Sequence, residues 1–311
     1  MTRKNAQLPL ERFYPKSLYV PMPEMHNERI PVTAGCNYNR CRFCDLNALQ
    51  PFEFFPLADI LAYIEERGKF YQGKRLQPQK FTLLEGNALC APTDDLLQIM
   101  DAVRANYQNV KYISSFARSY DILRKSVADL ERLHKAGLDR LSIGIESGDA
   151  DVLKFQRKGV TPAQQLAALH KLTAAGIQYS TYIMLGLGGL ERSEQHALAT
   201  ANFLNQTEAF ELTVVTLVLF KGAELVQLVR QGAFTRLLPL ETLQEERLLL
   251  SHLDLDTIFN GTHPTNAFPL KGKLPEQQAT LLKLLDQEIA QADEKELHRA
   301  EVRKWRDIRI Q

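Results

Sequence analysis

Three of the four cysteines in the chain lie within nine residues of one another, at Cys36, Cys41 and Cys44. Thiolates bind zinc and iron–sulfur clusters, and a structural zinc site takes four protein ligands, as most cubane clusters do. No histidine lies in this stretch to complete a set of four. The spacing therefore indicates a metal or cluster site with one position left for a small molecule, rather than three ordinary buried cysteines.

The fourth cysteine, Cys90, stands apart from this stretch. It would close the site if it were a fourth ligand, but a lone cysteine near a strand end is usually a small buried apolar residue. One remaining cysteine is too few for a second cluster, and four with this spacing do not form a disulfide framework. We therefore expect a reducing, cytoplasmic compartment.

Composition limits the class of protein. The chain has 311 residues, 45% of them hydrophobic and 24% charged, and a formal net charge of +1. These values are ordinary for a globular protein and give no overall field that would attract nucleic acid or an anionic membrane. No apolar run approaches the ~18 residues of a membrane span, and the N-terminus lacks a signal-peptide core. The expected ligand is a small-molecule substrate.

Strand and helix patterns alternate along most of the chain. The predicted strands are 29–33, 81–84, 110–116, 141–146, 179–185 and 212–220. The predicted helices are 57–70, 94–107, 121–136, 149–155, 161–175, 193–205, 239–253 and 275–292. Such alternation predicts a parallel sheet covered by helices.

The fold class predicted is therefore α/β, a partial (β/α)6 barrel of the TIM type with a helical C-terminal extension. We expect a Pro-rich arm over residues 1–28, the barrel over 29–222 and the extension over 223–311, packed on the barrel. The extension includes a polar loop at 256–275.

Residues suited to chemistry follow the ends of successive predicted strands. The cysteines follow the first strand, Glu85–Asn87 the second, Arg118 the third, Glu146 the fourth and Gly186–Gly189 the fifth. Barrels of this kind carry their active sites on the loops after the carboxyl ends of the strands. This agreement, more than any one motif, predicts an active site at that edge.

These motifs resemble those of the radical S-adenosylmethionine (radical SAM) enzymes. The family's usual cysteine gaps are three and two residues, whereas here they are four and two. The order of the further motifs Ser115–Arg118, Ile145–Gly148 and Met184–Gly189 is similar to that in a subgroup near the oxygen-independent coproporphyrinogen III oxidases. The resemblance covers about residues 18–290.

The resemblance implies a [4Fe-4S] cluster on Cys36, Cys41 and Cys44, with S-adenosylmethionine on the fourth iron. One-electron reduction, from a donor such as flavodoxin or ferredoxin, would release a 5′-deoxyadenosyl radical that abstracts hydrogen from the substrate. In such enzymes the cofactor supplies the difficult chemistry, and the protein orients it.

The same resemblance assigns the methionine and adenine ends of the cofactor. Phe43 would lie near the adenine, unless it is a plain core aromatic. The loop Glu85, Gly86 and Asn87 would hold the methionine amino group. The family often has a carboxylate where Asn87 stands, and an amide supplies no charge. Glu85 could supply that charge if the loop turns it inward.

Three further contacts follow from the family pattern. Glu146 would accept the ribose hydroxyls, and Lys158 or Arg157 would pair with the methionine carboxylate, with Arg118 as another candidate. Gly186 would let the backbone approach the adenine side. The plain alternatives are a surface glutamate, solvated helix-end charges and a generic turn.

Five other polar residues have weaker indications. His263, Asn266 and Lys271 lie in the polar loop, where they would either contact substrate at the barrel mouth or face solvent. His170 and His196 lie on helix patterns and are expected at the surface.

Two alternatives to an enzyme stay open: a non-catalytic carrier of an iron–sulfur cluster or haem, and a zinc-binding interaction protein. The motifs that resemble the radical SAM family concern the cofactor, so they leave the substrate open. A porphyrin is one candidate.

Overall fold

The structure, a computed structural model, describes residue 13 and residues 24–292. The strands are β1 (Glu28–Pro31), β2 (Thr33–Ala34), β3 (Glu53–Phe54), β4 (Lys80–Leu84), β5 (Tyr112–Ala117), β6 (Leu138–Glu146), β7 (Gln178–Leu185), β8 (Glu211–Thr216), β9 (Thr257–Asn260) and β10 (Lys271–Leu274). The helices are α1 (Leu57–Tyr71), α2 (Thr93–Asn106), α3 (Ser119–Arg124), α4 (Val127–Lys135), α5 (Ala150–Phe155), α6 (Pro162–Ala174), α7 (Ser193–Leu204), α8 (Glu224–Arg230), α9 (Pro239–Ser251) and α10 (Gln278–Gln291).

Eight strands form one sheet in the order β1-β4-β5-β6-β7-β8-β9-β10, and β2 pairs with β3 in a small second sheet. The pairs β1–β4, β4–β5, β7–β8 and β8–β9 are parallel, and only β10, among the strands with a described register, runs antiparallel to its neighbour in the large sheet. Helices connect successive parallel strands. The predicted α/β fold is confirmed.

The described chain divides into two compact units, with β6 contributing to both. The first contains the residues up to Asn37, Leu46–Ser142 and Ala174–Ile177. The second contains Tyr38–Asp45, Ile143–Thr173 and the residues from Gln178 onwards. The division passes through the cysteine stretch, so Cys36 belongs to the first unit, and Cys41 and Cys44 belong to the second.

Each unit has its own buried core, because its strands are buried along most of their length, as strands of covered parallel sheets are. In the first unit Ile30, Phe81 and Ile113 are fully buried. In the second unit Ile183 and Val214 are fully buried. Most predicted elements are found within a few residues of the expected bounds.

The helix predicted over 121–136 is in fact two helices, α3 and α4. Lys125 has an extended backbone between them, and its ammonium donates to the carbonyl oxygen of Ala91 at 2.8 Å. Ser126 then caps α4 by accepting a hydrogen bond from the backbone N–H of Asp129 at 3.0 Å. Serine followed three residues later by an acidic residue is a helix-start signal. The apolar periodicity continues across it, and for this reason a single helix was predicted.

The stretch 256–275, predicted as a polar loop, contains β9 and β10, and the short helix α8 was missed as well. β9 continues the parallel sheet beyond β8, with Leu212 opposite Phe259 in the register. Four residues are too few for a period-two pattern to stand out, so only the partner strand identifies β9. The loop proper is confined to 261–270.

No helix in residues 24–292 is long and apolar enough to cross a membrane. Most of the predicted arm lies outside the described residues, and the division into arm, barrel and extension stays a prediction.

Candidate active site

The start of the cysteine stretch is held by the loop after β4. Gly35 has a φ of +72°, and a Cβ there would lie 2.8 Å from two backbone carbonyl oxygens, so only glycine fits. Its N–H donates to Glu85 Oε2 at 3.0 Å. A Cβ at Gly86 would lie 4.0 Å from the Cβ of Cys36. The loop predicted to hold the methionine end therefore lies beside the first cysteine.

Glu85 is turned toward the cysteine stretch. Burial raises the pKa of its carboxyl, and the hydrogen bond from the Gly35 N–H opposes that rise by favouring the carboxylate. Only Oε2 is used by this bond. The second carboxyl oxygen is left for another donor.

A buried polar network surrounds Asn87, which is fully buried. Its amide nitrogen donates to Asp121 Oδ2 at 2.7 Å and to Asn37 Oδ1 at 3.1 Å. Its amide oxygen accepts from the backbone N–H of Arg118 at 3.2 Å. Asn37 also donates to Asp121, and the Arg118 guanidinium lies 3.7 Å from the Asp121 carboxylate.

This network gives Asn87 a structural role. Both of its amide hydrogens are used, so the loop has no donor to spare at this residue. A carboxylate in its place would face Asp121 directly, which explains why the chain has an amide here. The sequence predicted Asp121 only as the start of a helix. Its place beside two amides could not be predicted, because a buried acid of this kind can be identified only from the fold.

Cys90 is half-buried in the same unit. Burial, with a smaller contribution from the negative charge of Asp121, raises the pKa of its thiol to about 12. The thiol is therefore protonated at neutral pH, as it is in a buried packing residue.

In the second unit, Arg42 fixes the other cysteines in place. Its backbone N–H donates to the carbonyl oxygen of Gln156 at 3.0 Å, and its carbonyl accepts from Leu225 N–H at 2.8 Å. Its guanidinium donates to the Phe155 carbonyl oxygen at 2.8 Å and to Glu224 at 3.0 Å. The segment carrying Cys41 and Cys44 is thus held between the end of α5 and the start of α8.

Tyr38 anchors the first cysteine gap, which has one residue more than the family's usual pattern. Its hydroxyl donates to the carbonyl oxygen of Arg157 at 2.8 Å. Its ring covers Gly159, where a Cβ would come within 2.5 Å of ring atoms and where φ is +79°. Asn39, next along the gap, has a φ of 48°. The longer gap is therefore held at Tyr38 against the loop after α5.

Phe43 packs into an apolar cluster, as a family aromatic or a core residue would. The buried members are Phe43, Val152, Leu187, Leu217, Leu225 and Phe234. Cys41 and Cys44 pack against this cluster and are only partly buried. Both cysteines therefore pack against apolar residues on one side and remain partly exposed.

Glu146 and Lys158 form an ion pair of 2.8 Å, with only 12% and 10% of their side chains exposed. Glu146 ends β6 with a φ of 68°. A Cβ at Gly144 would lie 2.3 Å from the Glu146 carboxylate, so glycine makes room for the pair. Arg157, the other predicted cation, is exposed and pairs with Glu224 at 2.7 Å instead. The structure thus brings together the two residues predicted for the ribose and the methionine carboxylate.

The glycine run after β7 is held by a residue that sequence reasoning missed. Glu245, on α9, accepts from the Gly186 N–H at 2.7 Å, from the Ser193 hydroxyl at 2.5 Å and from Nδ1 of His196 at 3.1 Å. His196 is fully buried, so its expected surface position was wrong, whereas His170 is exposed as expected. Polar residues, Ser193 to Gln195, precede His196 and apolar residues follow it, so the local pattern did not mark it as buried.

None of the cysteines is in a disulfide. Over residues 24–292, no group of three or more Cys, His, Asp and Glu side chains surrounds a single point where it could hold one metal ion. The ligands of a cubane cluster bind different iron atoms and need not converge on one point.

Residues 30–201, more than half of the chain, match the Radical SAM superfamily. The chain belongs to this superfamily, and the protein is a radical SAM enzyme. The cofactors are those of the superfamily, S-adenosylmethionine and a [4Fe-4S] cluster.

One relative and two solved structures illustrate the similarity. The 4′-phospho-dehydrooxetanocin synthase of Priestia megaterium is 27% identical over 198 residues, which cover 58% of this chain and 26% of that protein. HemN, the coproporphyrinogen III oxidase of Escherichia coli, is 16% identical with a TM-score of 0.55 over 72% of this chain and 52% of its own. The radical S-adenosylmethionine methyltransferase TsrM of Kitasatospora setae is 16% identical with a TM-score of 0.54 over 71% of this chain and 44% of its own.

This chain spans about a quarter of the synthase and about half of each structure. At such low identity the two structures establish the fold, which confirms the predicted partial barrel and the likeness to coproporphyrinogen oxidase-like proteins.

Proposed function

We propose that the protein reductively cleaves S-adenosylmethionine at a [4Fe-4S] cluster held by Cys36, Cys41 and Cys44, and removes a hydrogen atom from a small-molecule substrate. The main support is that the cysteine stretch is fixed by its own neighbours on both sides. Glu85 holds it at Gly35. Backbone and side-chain bonds hold it again at Arg42.

The cysteines fit the cluster in chemistry and environment. Three thiols in nine residues supply three ligands, and the apolar cluster around Phe43 shields two of them from water. Dry surroundings of this kind tune the potential of an iron–sulfur centre. When bound, the cluster supplies one electron to the sulfonium and so a 5′-deoxyadenosyl radical. The residues of the chain bind and orient the cofactor and keep water from it.

The cofactor contacts follow from charges and hydrogen-bonding groups. Lys158 would leave its ion pair with Glu146 and pair with the methionine carboxylate instead. Glu146 would then accept hydrogen bonds from the ribose hydroxyls. Because the Asn87 amide oxygen already accepts from the Arg118 N–H and carries no charge, we assign the methionine ammonium to the second carboxyl oxygen of Glu85, with Gly86 allowing close approach.

Phe43 and Gly186 would contact the adenine side, and Arg118 would orient the Asn87 loop. We further propose a cytoplasmic reaction with reduced flavodoxin or ferredoxin as the electron donor. The known activities of the relatives differ from one another, so they do not select a substrate.

Anaerobic reconstitution with iron and sulfide tests the proposal. We expect about four iron atoms per chain, broad absorption near ~400 nm, and 5′-deoxyadenosine on addition of S-adenosylmethionine and dithionite. Cys41→Ala should lose all three signals. Cys90→Ser, a matched control with one thiol removed elsewhere, should keep them.

Each alternative predicts a different result. A zinc protein would take up zinc and show no ~400 nm band, whereas a carrier would show the band without forming 5′-deoxyadenosine. Normal activity of Cys41→Ala would refute the assignment of the cysteine stretch.

A further inference from the structure

The loop of residues 261–270 lies at an edge of the sheet where the proposed function expects the substrate. β7, β8 and β9 are parallel, so their carboxyl ends share one edge. Gly186 follows β7, Thr216 ends β8, and the loop follows β9. In barrels of this kind, ligands bind at that edge.

Asn266 holds this loop rigidly against β8. Its side chain is buried, and its amide nitrogen donates to the carbonyl oxygens of Val214 at 2.9 Å and of Gly261 at 2.8 Å. Its amide oxygen accepts from the Thr216 hydroxyl at 3.0 Å. A loop tied both to β8 and to its own first residue presents its remaining groups in a fixed geometry.

His263 has its tautomer set by Thr265. Thr265 Oγ1 accepts from the Thr216 N–H at 3.1 Å and lies 2.8 Å from His263 Nδ1. The backbone N–H of Thr265 also donates to Nδ1, at 3.3 Å. Two N–H groups do not point at each other, so Nδ1 is the acceptor and the ring proton is on Nε2.

The imidazole is neutral at physiological pH, because burial lowers the pKa of His263. Nε2 has no hydrogen-bond partner in the described part of the chain. The side-chain atoms that are both fully buried and without a partner do not include it, so Nε2 is at least partly exposed. It is therefore an accessible donor of one hydrogen bond.

The loop that carries this donor has no charged side chain. Residues 261–270 contain no Lys, Arg, Asp or Glu. Behind the loop, Glu246 Oε1 lies 2.8 Å from where a Cβ of Gly261 would be and has no hydrogen-bond partner among residues 24–292. Burial raises the pKa of Glu246 to about 8, so this carboxyl is protonated at neutral pH. The cation at this end of β10, Lys271, is exposed on a flexible side chain.

We propose that His263 Nε2–H is a substrate-binding donor that takes an uncharged acceptor oxygen, such as an amide or ketone carbonyl. A phosphate or carboxylate group would require charged donors held in place, as Arg residues usually supply. The inference rests on the proposed function only for the edge at which the substrate binds.

Histidine side-chain NMR on the full-length ¹⁵N-histidine-labelled protein tests the tautomer, with His263→Gln identifying the signal. At pH 7 we expect a neutral ring with the proton on Nε2. Thr265→Val, which removes the hydroxyl donor, should give a mixture of tautomers, while Thr265→Ser should keep the wild-type signal. A proton on Nδ1, or an imidazolium ring, would overturn the proposal.

Titration with three small probes tests the ligand class. N-methylacetamide should shift the His263 Nε2 signal saturably, and its dissociation constant should rise at least about threefold in Thr265→Val but not in Thr265→Ser. Acetate and inorganic phosphate should not shift it over the same range. No saturable shift with the amide, or a shift at lower concentration with either anion, would overturn the proposal. Neither measurement depends on cofactor cleavage, so this proposal and the proposed function can fail separately.

Discussion

The buried ion pair between Glu146 and Lys158 provides a quantitative test of the site. Removal of either partner leaves the other charge in a poorly hydrated position, since both side chains are almost nine-tenths buried. A double-mutant cycle with Glu146→Gln, Lys158→Met and both together isolates the interaction from the separate effects of each substitution.

The separation of 2.8 Å sets the magnitude. At an effective dielectric constant of about 20, two unit charges at that distance attract by about 6 kcal/mol, and desolvation offsets part of it. We expect Lys158→Met to lower the free energy of unfolding by about 3 kcal/mol. The double variant should lose less than the sum of the single losses, with a coupling of about 2–4 kcal/mol.

Urea unfolding followed by circular dichroism measures all four proteins under identical anaerobic conditions. The exposed pair of Arg132 and Asp94, at 2.7 Å with 51% and 75% of the side chains exposed, is the matched control. Its coupling should lie within experimental error, because water screens exposed charges.

Additive losses at Glu146 and Lys158, within about 0.5 kcal/mol, would refute the argument that the two charges depend on each other. The KM for S-adenosylmethionine provides a functional test of the same residues. Lys158→Met should raise it roughly tenfold or more by removing a charge-assisted bond to the methionine carboxylate. If the KM of Lys158→Met for S-adenosylmethionine were unchanged, the ion pair would stabilise the fold without binding the cofactor.

Three further predictions concern positions where the fold constrains the residue type. Asn87→Asp should destabilise the protein by about 3 kcal/mol, because it sets a second carboxylate where the amide now lies 2.7 Å from Asp121. Gly159→Ala should cost about 2–4 kcal/mol, since φ is +79° and the new Cβ would come within 2.5 Å of the Tyr38 ring. The free energy of unfolding should fall by up to about 1.4 kcal/mol per pH unit between pH 5 and 8, because folded Glu246 keeps a proton that the unfolded chain releases, and Glu246→Gln should remove that slope. Urea unfolding measures all three.

Each of these has a control. Adding Asp121→Asn to Asn87→Asp restores one amide and one carboxylate, so it should recover part of the loss. Gly232→Ala, at a φ of +71° with no atom within 4 Å of the new Cβ, measures the backbone cost without the clash. Glu276→Gln removes an exposed carboxyl and should leave the pH slope in place. Equal losses at both glycines, no recovery in the double variant, or an unchanged slope in Glu246→Gln would contradict the corresponding argument.

The sequence predicted the features that depend on local patterns. Apolar runs predicted the strands β4 to β8, which the structure confirms, and the order of polar residues after them predicts an active site at one edge of the sheet. The start of α6 lies where the helix pattern begins, and there Thr161 accepts a hydrogen bond from the Gln164 N–H at 3.2 Å.

Features that depend on distant partners were not predictable. Glu245 lies 59 residues from the Gly186 N–H that it accepts from, and Asp121 lies 34 residues from Asn87. An acidic residue on an amphipathic helix normally faces water, and only the packing of α9 shows that Glu245 does not. β9 was missed for the same reason, since its pairing with β8 is what makes four residues a strand.

The two departures from the family's usual motifs have local compensations in this chain. The longer cysteine gap gives room for Tyr38, whose hydroxyl reaches the Arg157 carbonyl oxygen and whose ring fills the space over Gly159. The amide at Asn87 faces a buried acid, Asp121, that would repel a carboxylate. Each departure thus has a hydrogen-bond partner that suits the residue present. Atypical motifs of this kind are therefore consistent with a working cofactor site, because contacts within this chain hold the longer gap and the Asn87 loop in place.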